Sequence, residues 1–212
     1  MRYLPSPYWG SRRWLTKVKF SPCFTLPLLG EQGGGSIIML ASDLVAMFGH
    51  DKTKEILQIV QTMNPLLALY EFNTLRRLRY FWAQVGHESG GLKYTAEIAS
   101  GKAYEGRKDL GNVKAGDGVR YKGRGYLQIT GRKNYTLLQA ETGIKCVEHP
   151  ELLEQPKYAI LSALWYWKKN NLNAYADRDA FTELTKKING GTNGLADRMV
   201  WLKKANRCIT EV

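Results

Sequence analysis

Between residues 74 and 88 the apolar side chains Leu75, Leu78, Phe81, Trp82 and Val85 recur at the period of a single helix face, while Arg76, Arg77 and Arg79 fall off that stripe. The pattern predicts a helix with Asn73 as its cap and Gly90-Gly91 as its stop. Upstream, Ser42 is placed to cap a short helix that runs to Phe48 and ends at Gly49. Asp51 is placed to cap a second helix, with Ile56, Leu57, Ile59 and Val60 on its buried side and Pro65 beyond its end. Further helices are predicted over residues 132–141, 156–170, 179–188 and 195–208, the last two separated by Asn189-Gly190-Gly191. Residues 100–130 are rich in glycine and charge, too long and too polar for a plain connector, which marks them as functional. The fold class expected is mainly α, with at most a small hairpin around residues 119–130.

Composition narrows the classes. Of 212 residues, 44% are hydrophobic and 24% charged, enough to bury a core and unlike a disordered chain. The apolar runs break well short of the ~20 residues a membrane span needs, so no stable membrane insertion is expected. Cys23, Cys146 and Cys208 are too few and too scattered for a disulfide framework or a tetrahedral zinc site. His50 and His149 lack partners at metal-ligand spacing, so no metal and no cofactor are expected. The 31 Lys and Arg against 19 Asp and Glu give a formal +12, a surface that favours polyanions.

Residues 1–38 differ from the rest. They hold four of the seven prolines and show no sustained period, and their five Lys/Arg and one Glu leave +8 for residues 39–212. Lys17 and Lys19 precede an apolar stretch, but Pro22 and Pro27 break it and no small-residue cleavage site follows, so no cleavable signal is expected. Gly33-Gly34-Gly35, whose codons begin GG, precede Met39 as a translated ribosome-binding site would. The expected organisation is therefore a leader or a disordered extension over 1–38, with a natural start at Met39, and a lysozyme-like catalytic domain over 39–212. Mass spectrometry of the native product tests that start, and a mature chain still carrying Arg2 would exclude it.

Candidate chemistry gathers where the helix over 74–88 ends, at His87-Glu88-Ser89-Gly90-Gly91. Carbonyls concentrate negative partial charge there, which together with apolar neighbours disfavours ionisation of Glu88 and suits a general acid. Residue 91 is Gly where a metalloprotease motif would need its second His. Glu97 lies nine residues on. A straight helix would separate the two carboxylates by ~13.5 Å on opposite faces. Gly90-Gly91 lets the chain reverse and bring them across a cleft, the apparatus of glycoside hydrolysis. Trp165, Tyr166 and Trp167 cannot all face one way on a helix, and one or two are expected in the core.

His87-Glu88-Ser89-Gly90-Gly91, Glu97, Gly123-Arg124-Gly125-Tyr126-Leu127-Gln128-Ile129-Thr130, Ile188-Asn189-Gly190-Gly191 and Asp197-Arg198 occur in the order found in family 19 glycoside hydrolases. Over residues 42–208 the chain resembles that family, and its phage and bacterial endolysin-type branch in particular. The resemblance implies a lysozyme-like, two-lobed helical domain with a hairpin and loop region lining a cleft, and an inverting mechanism. It implies Glu88 as the acid, Glu97 as the base, and Thr130, where the family usually has Ser, as a hydroxyl holding the water. Tyr121, Gln128, Asn134, Asn189 and Arg198 take sugar-contacting or cleft positions by the same resemblance. Arg198 beside Glu88 would favour its ionised form, against the helix-end effect, and the sequence leaves that balance open. Tyr126 replaces a proline common in plant members, and the short loop between Asn189 and Asp197 implies fewer subsites.

Three functions follow as expectations. The first is an endolysin or muramidase cleaving β-1,4 bonds of peptidoglycan, with the basic surface drawn to an anionic wall. The second is a chitinase using the same carboxylates. The third is a non-enzymatic cationic protein binding wall or nucleic acid, against which stands the lack of any nucleic-acid motif or strongly basic amphipathic helix. The expected partner is a polysaccharide, with no nucleic acid, acted on by a monomer. The expected location is a host or bacterial cytoplasm until release to the cell wall or periplasm.

Overall fold

The computed structural model describes residues 37–211, so the readings made for residues 1–36 lie outside it. The described residues form α1 (Ala41–Phe48), α2 (Thr53–Met63), α3 (Leu75–Glu88), α4 (Asp117–Arg120), α5 (Arg132–Thr142), α6 (Pro156–Lys169), α7 (Asn173–Asp177), α8 (Phe181–Asn189) and α9 (Leu195–Cys208). Helix α3 packs along α9, α2 lies against α1 and α6, and α7 joins α3 to α8. Phe81 stands at the centre of an aromatic cluster, edge-on to Phe72 and Trp167 at 5.1 and 5.2 Å between ring centres. Leu78, Trp82 and Val85 of the expected stripe are buried with it, and Trp165 and Trp167 are core residues. Among the described residues no helix is long and apolar enough to cross a membrane. Cys146 and Cys208 are free thiols, and burial pushes that of Cys146 up to about 12, which leaves it inert.

Several local expectations are corrected. Thr74, not Asn73, caps α3, its hydroxyl accepting from Arg77 N at 3.3 Å. The side chains of Ser42 and Asp51 cap nothing, because α1 starts at Ala41 with Ser42 already inside it and a 3-10 turn over His50–Lys52 precedes α2. Leu57 is exposed, since the buried side of α2 is Ile56, Ile59 and Met63 at i, i+3 and i+7. The helix expected over 179–188 begins at Phe181, after the separate short α7. The hairpin shrinks to two bridges, Arg124 with Ile129 and Arg124 with Ala96, because residues 117–120 turn into α4.

Residues 100–130 hold their shape through polar staples. The Glu105 carboxylate accepts from Gly116 N (2.7 Å) and Gly118 N (2.9 Å). Asp117, buried, accepts from Nε and one Nη of the Arg132 guanidinium, which stacks 4.6 Å from the centre of the Tyr121 ring. The Arg132 hydrogen bonds hold the Asp117 carboxyl below the usual carboxylate range. A depressed carboxyl stabilises the fold above its ordinary range and loses that contribution as pH falls through the folded value. Asp117→Ala is expected to cost about 2–3 kcal/mol of stability at neutral pH. The gap from wild type should close as the pH is lowered below 4, read by thermal melts across pH.

Candidate active site

The end of α3 is built by a Schellman motif: Gly91 N donates to Gly86 O at 2.8 Å and Gly90 N to His87 O at 3.2 Å. Gly90, Gly91 and even Leu92 take positive φ (58°, 74° and 67°), which turns the chain sharply behind Glu88. Ser89 braces the turn, its hydroxyl donating to Val85 O and accepting from Leu92 N. Gly86 lets Trp201 of α9 lie on the helix backbone, for a methyl there would stand 2.7 Å from the indole. That close approach brings Arg198, one turn earlier on α9, to Glu88.

Arg198 is 1% exposed, and one of its Nη atoms donates to Glu88 Oε1 while the other donates to Gln84 Oε1. Glu88 keeps 23% of its side chain exposed. One residue back on each helix, His87 Nδ1 meets Asp197 Oδ2 at 2.6 Å, so two polar pairs tie α3 to α9 side by side.

Glu97 sits beyond the turn, its backbone paired with residue 123 (Glu97 N to Gly123 O, 2.9 Å). Its carboxylate accepts from Tyr104 Oη (3.1 Å) and from Gly123 N (3.0 Å). Burial, and then the Glu97 carboxylate, raise the Tyr104 phenol above its ordinary range, so it remains a donor at neutral pH. Gly123 is the point on which the Glu97 cluster converges. A methyl group there would stand 2.7 Å from Gln128 Oε1, 3.1 Å from Glu97 Oε2 and 3.3 Å from Thr130 Oγ1. Gln128 itself holds a left-handed φ of 51°, a conformation costly for a residue with a Cβ. The loop is clamped from outside by Arg124 on Glu154 (2.8 Å) and by Tyr126, whose hydroxyl donates to Glu55 of α2 at 2.5 Å.

Gly123→Ala is expected to leave the melting temperature within a few degrees of wild type, because the atoms it meets are side-chain ends. Turnover should fall at least ~10-fold, since misplacing reacting groups by about 1 Å costs far more in rate than in stability. Parallel melting and rate measurements decide it, and equal turnover would show that the convergence has no catalytic weight.

The remaining candidates divide. Asn134 Nδ2 donates to Thr130 O at 2.8 Å and Thr130 Oγ1 to Gln128 O at 2.9 Å, so both belong to the Glu97 cluster. Asn189, exposed at the end of α8, donates to Asn193 O at 3.2 Å. Tyr121 is 1% exposed, its hydroxyl spent on Val147 O and its ring against Tyr135, so it packs the core and offers no face to a sugar. Tyr104, Gly123 and Gln84 were not among the sequence candidates. Only Gln84 carried a signal, a polar residue four positions before Glu88 between the apolar Ala83 and Val85. Among the described residues no group of three or more His, Cys, Asp or Glu is arranged to hold a metal ion.

No protein-family model matches the chain. A glycosyl hydrolase family 19 domain-containing protein of Haemophilus influenzae is 32% identical, over 56% of this chain and 72% of its own. The chain belongs to glycosyl hydrolase family 19. An endochitinase of Arabidopsis thaliana is 35% identical over 55% of this chain, which spans 40% of that relative's length. The fold is that of chitinase C from Streptomyces griseus, with a TM-score of 0.66 at 21% identity over 84% of this chain and 95% of that one. It is also that of a class IV family 19 chitinase from Zea mays, with a TM-score of 0.56 at 23% identity over 84% and 87%. The mainly α, lysozyme-like class expected from the sequence is the class found. This family 19 member is a glycoside hydrolase.

Proposed function

We infer that this family 19 hydrolase cleaves β-1,4 bonds in polymers of N-acetylated amino sugars, with chitin the first substrate class. Glu88 protonates the departing glycosidic oxygen, and Glu97 takes a proton from a water that attacks the anomeric carbon from the opposite face. The observation that carries this reading is the convergence of Glu97, Thr130 and Gln128 on Gly123. Two of the Glu97 carboxylate's lone-pair sites are occupied by Tyr104 and Gly123, which leaves acceptor capacity for a water. The Thr130 proton is spent on Gln128 O, so its hydroxyl faces that water as an acceptor too. A water donating both hydrogens, to Glu97 and Thr130, has its lone pairs left for attack. The Gln128 and Asn189 amides suit the N-acetyl and hydroxyl groups of the sugar, since an amide both donates and accepts. The names of the plant and Streptomyces relatives support chitin.

One observation favours peptidoglycan as a second substrate. Residues 39–212 carry 26 Lys and Arg against 18 Asp and Glu, and Lys186, Lys187 and Lys203 are exposed. Such charge gathers the enzyme at an anionic polymer and is screened once the Debye length shrinks to ~8–10 Å. Digestion of chitin oligosaccharides and purified peptidoglycan in parallel, with the new reducing ends identified, tests both. Cleavage of neither would overturn the proposal. If the wall is a substrate, its digestion should fall steeply between low and physiological salt while a short neutral oligosaccharide is cleaved at nearly constant rate. Equal salt dependence would remove the support that charge lends to peptidoglycan.

A further inference from the structure

Behind Glu88 lies a polar string with no contact to any reacting atom. Gln84 and Thr185 are both fully buried, and Gln84 Nε2 donates to Thr185 Oγ1 of α8 at 3.2 Å while Gln84 Oε1 accepts from Arg198. The amide can stand only this way round. A guanidinium has no acceptor, so the oxygen must face Arg198 and the NH2 must face the threonine oxygen. Arg198 Nε, also buried, finds no acceptor among the described residues. The fork is therefore aimed by two bonds, one to Gln84 and one to the acid itself.

We propose that Gln84 and Thr185 are positioning residues of the acid step: by holding one Nη of Arg198 they stop the guanidinium from closing on Glu88 end-on through both Nη atoms. A bidentate Arg–carboxylate pair is among the strongest charge-assisted contacts, and a carboxylate clamped that way is a poor proton donor. With one arm kept on Gln84, Glu88 is oriented through a single oxygen and its other oxygen is left for the glycosidic oxygen. Thr185 completes the arrangement, because without its hydroxyl the amide NH2 would be buried with no partner and the amide would be free to turn. Thr185 also lies one helical turn before Asn189, so the string ties the acid to the helix that carries a candidate sugar contact. This rests on the reading of Glu88 as the acid.

The test separates protonation from general damage by the leaving group. A dinitrophenyl glycoside of a chito-oligosaccharide departs without a proton, whereas the natural sugar alcohol needs one. Thr185→Val, nearly isosteric, is expected to lower kcat on the oligosaccharide about 10-fold with KM and the dinitrophenyl rate within about twofold of wild type, a fraction of the full worth of acid catalysis. Thr185→Ser, which keeps the hydroxyl, should return kcat to within about twofold. Gln84→Met should show the same split at about 10²-fold, measured per folded molecule because it also strips Arg198 of a buried partner. Equal losses on both substrates, or no loss in Thr185→Val, would overturn the proposal. Glu88→Gln, run beside them, tells the two failures apart. If it turns over the oligosaccharide normally, the acid assignment falls and this proposal with it; if it is inactive while Thr185→Val shows no split, this proposal alone falls.

Discussion

Glu88→Gln is expected to cut turnover of an oligosaccharide by ~10²–10⁴-fold while the protein folds and binds sugar as before. The amide has nearly the carboxyl's shape and can still accept from Arg198 through its oxygen, so the α3–α9 seam keeps its bond. What it lacks is an acidic proton for the oxygen that must leave. On a dinitrophenyl glycoside, whose leaving group needs no proton, the loss should shrink to a small factor. Steady-state rates on the two substrates, with a thermal melt to certify folding, settle the matter. Wild-type turnover of the oligosaccharide by this variant would mean that the acid lies elsewhere and that the chemistry assigned to the α3 terminus is wrong.

The stripe on α3 and the glycines after it were legible because both are local: an apolar period and a C-terminal stop are written within the seventeen residues from Leu75 to Gly91. The sequence could also place Glu97 beyond the reversal. The family resemblance placed Thr130 and Gln128 with it, but not Tyr104 or the Gly123 N–H, which reach the carboxylate through loop folding that no period announces. The same reason hid the interior of residues 100–130, where Glu105 and Asp117 act as staples on donors elsewhere in the loop and on α5. Tyr121 illustrates the opposite error. The family resemblance gave Tyr121 a sugar-contacting position, yet the stacked Arg132 and the Val147 carbonyl satisfy it inside the fold. Gln84 breaks the apolar environment of α3 on the same side as Glu88, and its reason appears only when α8 and α9 are brought up to it.

Glu97→Ala should lose ~10²–10⁴-fold in hydrolysis, because the attacking water then has no base to take its proton. The anomer of the wild-type product distinguishes a base from a nucleophile, and azide tests whether the missing group acts on the attacking side. Azide is already an anion and needs no deprotonation, and removal of the carboxylate opens space beside Gly123 and Thr130. Added azide should therefore restore turnover to Glu97→Ala. Its terminal nitrogen forms a bond to the anomeric carbon as the glycosidic C–O bond breaks, and the departing oxygen takes its proton from Glu88. A single displacement from a β-linked chain gives the α-glycosyl azide, just as wild-type hydrolysis gives the α anomer first. Were Glu97 instead a nucleophile forming a covalent sugar ester, the wild-type product would be β. NMR of the first product formed, before mutarotation scrambles it, reads the anomer directly. A β product from wild type would overturn the base assignment, and with it the water held between Glu97 and Thr130.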